Sequence, residues 1–586
     1  MEPEEKYFDP FIKPLLDQPG STYRYTSLSG AHPARYWDTW KTVMDDPNLL
    51  PPSALAPQDP RRRQFDPSVL VIGNLARKYQ DTSRRGNSVH YSIMILQQMA
   101  LAALRGDMVH RDGLVRMLWW APESEAYLAF PNTEVFRHNL NATLSMGVTM
   151  NMVFGIKPPA ESGGVYHQSA RKRSLAMNTM LASRIERSML DKGMQRPESR
   201  DFLIPIEDGI PSAEPAKDSS TWDADGAAKP RRAGKAKASA GEEAEQADEQ
   251  ANERPTGQRK HPSNLAMTQR VLEGRELEIV NPLIPTISTV HELRAEVADA
   301  RARVTTIIDF GLTGKSGLRY LPATEVGLLQ SLSYPQCGAL AGSFAPTKAR
   351  VSCIAIASDM TLRIVKLEAS YKMLADSGED KASLDVLRDE IVGLGDEFES
   401  WLATQSRLKD QGGNIVDSQI AFFSSPPLLA LDAREYEPLK AESHEFWPRN
   451  DLMLVDMVPK VRDLSVPDLA TAGDSVKVAQ MLLKALMEAR AQTLPFTFER
   501  VAPNAAQDLI PQVPAITDPR QGGRLNPNNV RTRMISESMI EGLVKAWAEW
   551  PFKPSTLELE LAAENFGSAS EPAEGSKDAE SVFSEQ

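Results

Sequence analysis

Ser68-Val-Leu-Val-Ile-Gly-Asn-Leu-Ala-Arg77 contains the strand on which the fold prediction rests. Its short apolar run is typical of a strand that is buried on both faces of a parallel sheet. Ser92–Arg105 then repeats apolar residues at helical spacing, and Leu114–Trp120 is a second apolar run. A strand, a helix and a strand in this order form a crossover connection. The sequence therefore predicts an α/β fold with a parallel sheet.

The rest of the chain alternates between strand and helix patterns. Asn151–Gly155 and Trp447–Pro459 are predicted to be strands, and residues of about 361–409 a helical hairpin. Ser475–Arg490 is predicted to be a helix. A last helix, with one apolar face, ends before Pro551, which cannot extend it.

Composition limits the classes of function. The chain has 586 residues, 41% of them hydrophobic, and a mean hydropathy of −0.36. No apolar run approaches the ~20 residues of a membrane span, so no membrane contact is predicted. Cys337 and Cys353 are the only cysteines, which is too few for a disulfide framework, and they lack the spacing of a metal site. The net charge of −13 argues against a generally basic surface, so a nucleic-acid binder would need local basic patches.

Two segments have the composition of disordered chain. Residues of about 211–262 are rich in Ala, Glu, Lys, Ser and Gly, and residues 561–586 form an acidic, Ser-rich tail. Such segments bury too little apolar surface to offset the entropy lost on ordering, so both are predicted to be disordered.

Basic residues cluster at three places. These are Arg61–Arg63, the group Arg77, Lys78, Arg84 and Arg85, and Arg171–Arg173. A single cluster of this kind is more commonly a solvated loop than a phosphate contact. The second cluster differs from the others because it directly follows the strand end of the opening motif.

Gly73-Asn-Leu-Ala-Arg77 is the most specific local motif. Methyltransferases that act on exocyclic amines place Asn, then Pro or Leu, then Pro and an aromatic residue at such a strand end. A side-chain carbonyl and a backbone carbonyl accept the N–H bonds of the amine, and the aromatic ring stacks on the flipped base. Here Asn74 and Leu75 match this pattern, whereas Ala76 replaces the proline and Arg77 the aromatic residue.

Glu549-Trp-Pro-Phe-Lys-Pro554 resembles the fungal mitochondrial transcription factor B family, also called mitochondrial transcription factor 1. That family is built on an rRNA adenine N6-dimethyltransferase fold, and the Gly73–Arg77 motif resembles the strand end of those dimethyltransferases with the departures given above. Val115–Leu128 and Glu445–Pro459 also resemble segments of the family. The resemblance covers residues 1 to about 157 and about 432–557, roughly half of the chain.

The resemblance implies a Rossmann-like class I methyltransferase core with a small α-helical C-terminal domain. The implied divisions are a first part of the core at 1–160, an insertion at 161–431, the last core strands at 432–462 and the C-terminal domain at 463–560. Trp550 and Phe552 would anchor that C-terminal domain. The core is expected to be N-terminally truncated, because no Gly-rich cofactor loop precedes Glu2. The resemblance also implies the mitochondrial matrix, although Met1–Lys6 is acidic and unlike an import signal.

The resemblance also implies a vestigial S-adenosylmethionine site. Glu2 stands at the position that holds the ribose of the cofactor, and Asn74 is the second predicted cofactor-binding residue. The alternative interpretation of Glu2 is a charged residue at the chain terminus. Ala31 and His32 stand where an acid usually contacts the adenine amine. Asn74, Leu75 and Ala76 are therefore a degenerate catalytic motif.

The function implied by the resemblance is transcription initiation. The expected partners are a single-subunit mitochondrial RNA polymerase and promoter DNA, whose unpaired strand would lie along Arg77, Lys78, Arg84 and Arg85. Stacking on the bases would come from Tyr79 or His90. The alternative is an active dimethyltransferase of the mitochondrial small-subunit rRNA. A third interpretation is a mitoribosome assembly factor that binds rRNA without catalysis.

Overall fold

The computed structural model describes a large part of the chain. The described residues are 7–28, 36–50, 55–56, 59–76, 91–131, 133–156, 175–195, 197–201, 203, 283, 286–310, 348–405, 412–446, 449–461, 472–555 and 557–558. The two segments that the sequence predicts to be disordered, about 211–262 and 561–586, lie outside these residues.

Five strands form one mixed sheet. They are β1 (Phe65–Asn74), β2 (Leu114–Pro122), β3 (Val148–Ile156), β4 (Leu439–Ala441) and β5 (Leu452–Pro459), in the spatial order β1-β2-β5-β3-β4. β1 is parallel to β2 and β3 is parallel to β4, whereas β5 is antiparallel to both of its neighbours, β2 and β3. The predicted α/β class and the parallel pairing of the first two strands are confirmed.

Eleven of the described α-helices have eight residues or more. They are α1 (Tyr36–Asp45), α2 (Tyr91–Arg105), α3 (Asn139–Gly147), α4 (Leu175–Asp191), α5 (Val290–Phe310), α6 (Lys348–Asp376), α7 (Lys381–Thr404), α8 (Gly412–Phe423), α9 (Ala472–Met487), α10 (Leu494–Val501) and α11 (Glu537–Glu549). Shorter helices are Lys13–Leu16, Glu123–Ala126, Ala430–Ala433 and Ala505–Leu509.

α2 covers one face of β2, as its apolar pattern predicts. Alternate side chains of β2 point to this face and are buried against the helix, namely Val115, Met117, Trp119 and Ala121. The opposite face is less covered, and Arg116 on it is exposed. Its guanidinium binds Asp456 of β5 through two hydrogen bonds of 2.8 Å. One face of β2 therefore belongs to a core and its other face carries exposed and half-buried groups, whereas β5 is buried along both of its faces.

β1 departs from its prediction in one respect. The apolar run predicts a strand buried on both faces, but Val69, Leu70 and Ile72 are 42%, 51% and 65% exposed. The reason is its position, because β2 is its one neighbour among the described strands. The strand itself is confirmed, whereas its burial is wrong for the described part of the chain.

The predicted helical hairpin is present as α6 and α7. Gly378, with φ +83°, lies in the turn between them, and α6 begins at Lys348, ahead of the predicted start. α5 packs against both helices, so the three form one layer with a shared apolar core.

Buried ion pairs join this layer to the C-terminal region. The Arg524 guanidinium, 3% exposed, binds Glu368 of α6 at 2.9 Å and Glu399 of α7 at 2.7 Å. Arg533 binds Asp417 of α8 at 2.6 Å. The apolar core of α9–α11 also includes residues of α2, α3, α6 and α8. Contacts therefore cross the predicted boundary at 463, and the division into domains stays a prediction.

The segment after α11 confirms one of the two predicted anchor residues. α11 ends at Glu549 before Pro551, and Trp550 is buried, with its indole N–H donating a 2.8 Å hydrogen bond to Oδ2 of Asp508. Phe552, in contrast, is 73% exposed. Trp550 thus anchors the end of the helix, and the expectation that Phe552 is a second anchor is wrong.

None of the described helices has both the length and the apolar character that a membrane span requires.

Candidate nucleic-acid interface

The end of β1, where the Gly73–Arg77 motif begins, is hydrogen-bonded to β2. Asn74 pairs with Trp120 in the parallel register, and the Leu75 amide donates a 2.6 Å hydrogen bond to the Trp120 carbonyl oxygen. Leu75 is 1% exposed and belongs to the core under the sheet. Two of the motif residues therefore lie at the carboxyl edge of two parallel strands, where ligands of open α/β sheets commonly bind.

Gly73 lies so close to the Trp119 ring that glycine is required at this position. A Cβ atom added at Gly73 would lie 2.1 Å from the nearest ring carbon of Trp119. No side chain fits at this distance, so the glycine of the motif is explained by packing against the neighbouring strand.

Asn74 is engaged within its own turn. Its Oδ1 accepts a 2.8 Å hydrogen bond from the Ala76 amide, which makes a local Asx turn. Proline at position 76 would have no N–H and would leave that oxygen unoccupied. With alanine at position 76, a backbone N–H is present and donates to Oδ1 of Asn74. This is the oxygen that would accept a hydrogen bond from a substrate amine.

The connection between β1 and α2 begins and ends beside β2. Ala76 follows Leu75, whose amide is hydrogen-bonded to the Trp120 carbonyl oxygen. At the other end, the Ser92 amide donates a 2.9 Å hydrogen bond to Glu125, just after β2. Residues 77–90 join these two points. The predicted nucleic-acid residues Arg77, Lys78, Arg84 and Arg85, together with Tyr79 and His90, belong to this connection and lie outside the described residues.

Glu123 is a buried acid at the same edge. It follows the last residue of β2 and is 8% exposed, and its Oε1 has no hydrogen-bond partner among the described residues. Burial, together with the negative charge of Asp451, raises the pKa of Glu123 to about 7. Burial and the Glu123 charge also raise the pKa of Tyr127. This carboxyl group is therefore uncharged for much of the time near neutral pH.

Three aromatic side chains cluster on the less covered face of the sheet. The Trp120 ring lies 6.1 Å from Phe154 in a stacked arrangement and 5.3 Å from Phe446 edge-on, and each of the three is half-buried. The Arg200 guanidinium lies over Phe154 at 5.8 Å and binds Glu445 at 2.6 Å. The sequence predicted Trp119 and Trp120 within one strand without separating their faces. The alternation of a strand, which turns one of two consecutive residues to each face, was the signal that could have separated them.

The remaining candidates do not join this site. Arg61 binds Asp59 at 2.7 Å, and Arg62 donates a 2.7 Å hydrogen bond to the Leu55 carbonyl oxygen, so both are engaged within the protein. Glu2, Ala31, His32 and Arg171–Arg173 lie outside the described residues. The described residues contain no cluster of His, Cys, Asp and Glu that could hold a metal ion.

Two residues are predicted to hold S-adenosylmethionine. Asn74 is described, and its Oδ1 accepts a hydrogen bond from the Ala76 amide. Glu2 lies outside the described residues, so the cofactor site stays a prediction.

The chain matches no protein-family model, no curated protein and no solved structure.

Proposed function

We propose that this chain is a mitochondrial transcription initiation factor, in which a methyltransferase-like fold without catalysis binds unpaired promoter DNA. Its partner would be the single-subunit mitochondrial RNA polymerase. The observation that carries the proposal is the hydrogen bond from the Ala76 amide to Oδ1 of Asn74, because it engages one of the two lone pairs of the acceptor that a substrate amine would need. A strand end of this kind can still bind a nucleic acid, although it is poorly suited to methylate one.

The sheet supports the methyltransferase-like part of the proposal. The resemblance implies a Rossmann-like core. A mixed five-stranded sheet, with β5 antiparallel between β2 and β3, is compatible with such a core. Fold alone does not assign a function, so the DNA-binding part needs its own argument.

Local charge supports the DNA-binding part. The whole chain carries a net charge of −13, so attraction to phosphates must come from a local group of cations. Arg77, Lys78, Arg84 and Arg85 belong to residues 77–90, which follow Ala76 and precede α2 in the chain, and the described flanking residues Leu75 and Ser92 are hydrogen-bonded to Trp120 and Glu125. Cations tethered there are suited to hold the backbone of a single strand at the carboxyl edge of the sheet.

Binding to single-stranded DNA across a salt series tests this proposal. We expect the four-residue change of Arg77, Lys78, Arg84 and Arg85 to Ala to weaken binding. It should also make the plot of log affinity against log salt shallower by about 3, since each phosphate contact in a single strand contributes about 0.7. A matched control changes the exposed cations Arg294, Arg301, Lys381 and Arg388 of α5 and α7 to Ala. Equal slopes for both variants would contradict the proposal.

A further inference from the structure

Glu123 is a buried acid without a balancing cation. It begins the one-turn helix Glu123–Ala126 directly after β2 and is 8% exposed. Its Oε1 has no hydrogen-bond partner, and its carboxyl group forms no ion pair, among the described residues. The titratable groups of the described chain that interact with it are Asp451, just ahead of β5, and Tyr127, and both are acids. A negative charge on Glu123 is therefore opposed both by burial and by its neighbours.

The same short helix caps the beginning of α2. Two residues after Glu123, the Glu125 side chain accepts a 2.9 Å hydrogen bond from the Ser92 amide and a 2.5 Å hydrogen bond from the Ser92 hydroxyl. The Ser92 amide is one of the first N–H groups of α2, which have no acceptor within the helix itself. A carboxylate at this position also complements the helix dipole. Residues 123–126 therefore hold the first turn of α2.

Glu123 and Glu125 are joined within a single helical turn. The Tyr127 amide donates to the carbonyl oxygens of Glu123 and Glu125, and Ala126 is fully buried in the core below the sheet. An ionised carboxylate needs water, and the enclosed oxygen of Glu123 reaches water only when this turn moves outward. Such a movement also separates Glu125 from Ser92.

We propose that residues 123–126 are a proton-controlled latch on the first turn of α2. With a proton on Glu123, the turn stays buried and Glu125 caps Ser92. When Glu123 gives its proton to water, the turn opens and the cap is lost. This inference goes beyond the proposed function and does not depend on it, because it concerns the packing of the chain itself.

The pH range of the latch follows from the burial of Glu123. Burial, with a smaller contribution from Asp451, raises the pKa of Glu123 from 4.5 to about 7. Because the pKa is higher in the closed turn, the preference for the closed form is complete below about pH 4.5 and is lost as the pH rises to about 7. Between pH 6.0 and 8.0 the equilibrium constant for opening should rise about 10-fold.

Hydrogen–deuterium exchange of the full chain, followed by mass spectrometry, tests the latch. The readout is the protection of peptides that cover residues 91–97 and 123–128, corrected for the intrinsic effect of pH on exchange. We expect both peptides of the unaltered protein to open about 10-fold more at pH 8.0 than at pH 6.0. In Glu123→Gln, which cannot ionise, the change should be less than about twofold.

Two controls separate a latch from an ordinary cap. Glu125→Ala removes the cap alone, so residues 91–97 should be less protected at both pH values. The first turn of α7 carries a similar cap, in which Oδ2 of Asp380 accepts a 3.0 Å hydrogen bond from the Ser383 amide, but Asp380 is exposed. Its protection should not change between pH 6.0 and 8.0.

Each result supports or overturns the inference. A pH effect that persists in Glu123→Gln, or the absence of any effect in the unaltered protein, would overturn it. Opening of residues 123–128 without opening of residues 91–97 would show that the turn does not control α2, and would also overturn it. If Glu123→Gln fails to fold, as judged by circular dichroism, Glu123→Met removes the ionisable group at similar volume and gives the same comparison.

Discussion

The amide of Ala76 and the side-chain oxygen of Asn74 are joined by a 2.8 Å hydrogen bond. This bond exists because residue 76 is not proline and therefore has an N–H to donate. It turns a strand end that could accept a substrate amine into a satisfied local turn.

Methyl transfer by the unaltered protein should be absent. Asn74 is engaged by Ala76, and no aromatic residue stands at position 77. We expect transfer from labelled S-adenosylmethionine to a mitochondrial small-subunit rRNA fragment to equal that of the Asn74→Ala variant. Methylated adenine that disappears in Asn74→Ala would show that the site is catalytic and would favour the dimethyltransferase alternative.

Gly73→Ala should destabilise the sheet. The added Cβ would lie 2.1 Å from the Trp119 ring, so the strand or the indole must shift, at a cost of about 2–4 kcal/mol. The matched control is Gly393→Ala in α7, where no atom lies within 4 Å of the new Cβ. That change should be neutral or stabilise the protein by up to about 1 kcal/mol, because alanine favours helix. Urea-unfolding midpoints measure both, and similar midpoints would contradict the packing described for Gly73.

Arg524→Met should cost about 3–5 kcal/mol, because it leaves Glu368 and Glu399 without their buried cation. Arg303→Met is the control, since the Arg303–Asp299 pair is largely exposed and should contribute less than about 1 kcal/mol. Thermal unfolding followed by circular dichroism compares the two variants. A small effect at Arg524 would show that the layer of α5–α7 does not depend on this contact with the C-terminal region.

Stability should depend on pH through Glu134. Burial raises the pKa of Glu134 to about 7, with a smaller contribution from Asp417, against the lowering influence of Arg533. Because the folded pKa is above the unfolded value of 4.5, the stabilisation is complete below about pH 4.5 and is lost as the pH rises to about 7. The Ser418 hydroxyl, which donates a 2.9 Å hydrogen bond to Glu134, can also bond an amide oxygen.

We therefore expect Glu134→Gln to unfold with less pH dependence than the unaltered protein. The difference in unfolding free energy between pH 5.0 and 7.5 should shrink by about 2 kcal/mol in the variant. An unchanged pH dependence would show that Glu134 titrates as an ordinary exposed acid.

Local patterns predicted the local elements well. The apolar run at Ser68–Gly73, the helical spacing of Ser92–Arg105 and the second run at Leu114–Trp120 were enough for the first crossover unit. The insertion of β5 between β2 and β3 was not predictable, because apolar periodicity does not say which distant strand becomes a neighbour. For the same reason the exposure of Leu70 and Ile72 was missed, since burial of a strand depends on its neighbours.

The site was predicted in part. The motif at Asn74 was found because its chemistry is local, and the bond from Ala76 is a property of three consecutive residues. The aromatic contacts of Trp120 were missed, because they arise from how β2, β3 and the turn before β5 meet. The burial of Glu123 was not visible in the sequence either. The burial of Arg524 was missed as well, since its Gly-rich surroundings resemble an exposed loop until Glu368 and Glu399 are brought to it.

Promoter opening tests the central claim most directly. 2-Aminopurine placed in the non-template strand at a mitochondrial start site reports unpairing when the protein and its cognate mitochondrial RNA polymerase are added together. We predict a fluorescence increase that requires this chain and is reduced when Arg77, Lys78, Arg84 and Arg85 are changed to Ala. The control variant of Arg294, Arg301, Lys381 and Arg388 should open the promoter as the unaltered protein does. No increase with the unaltered protein would contradict the account.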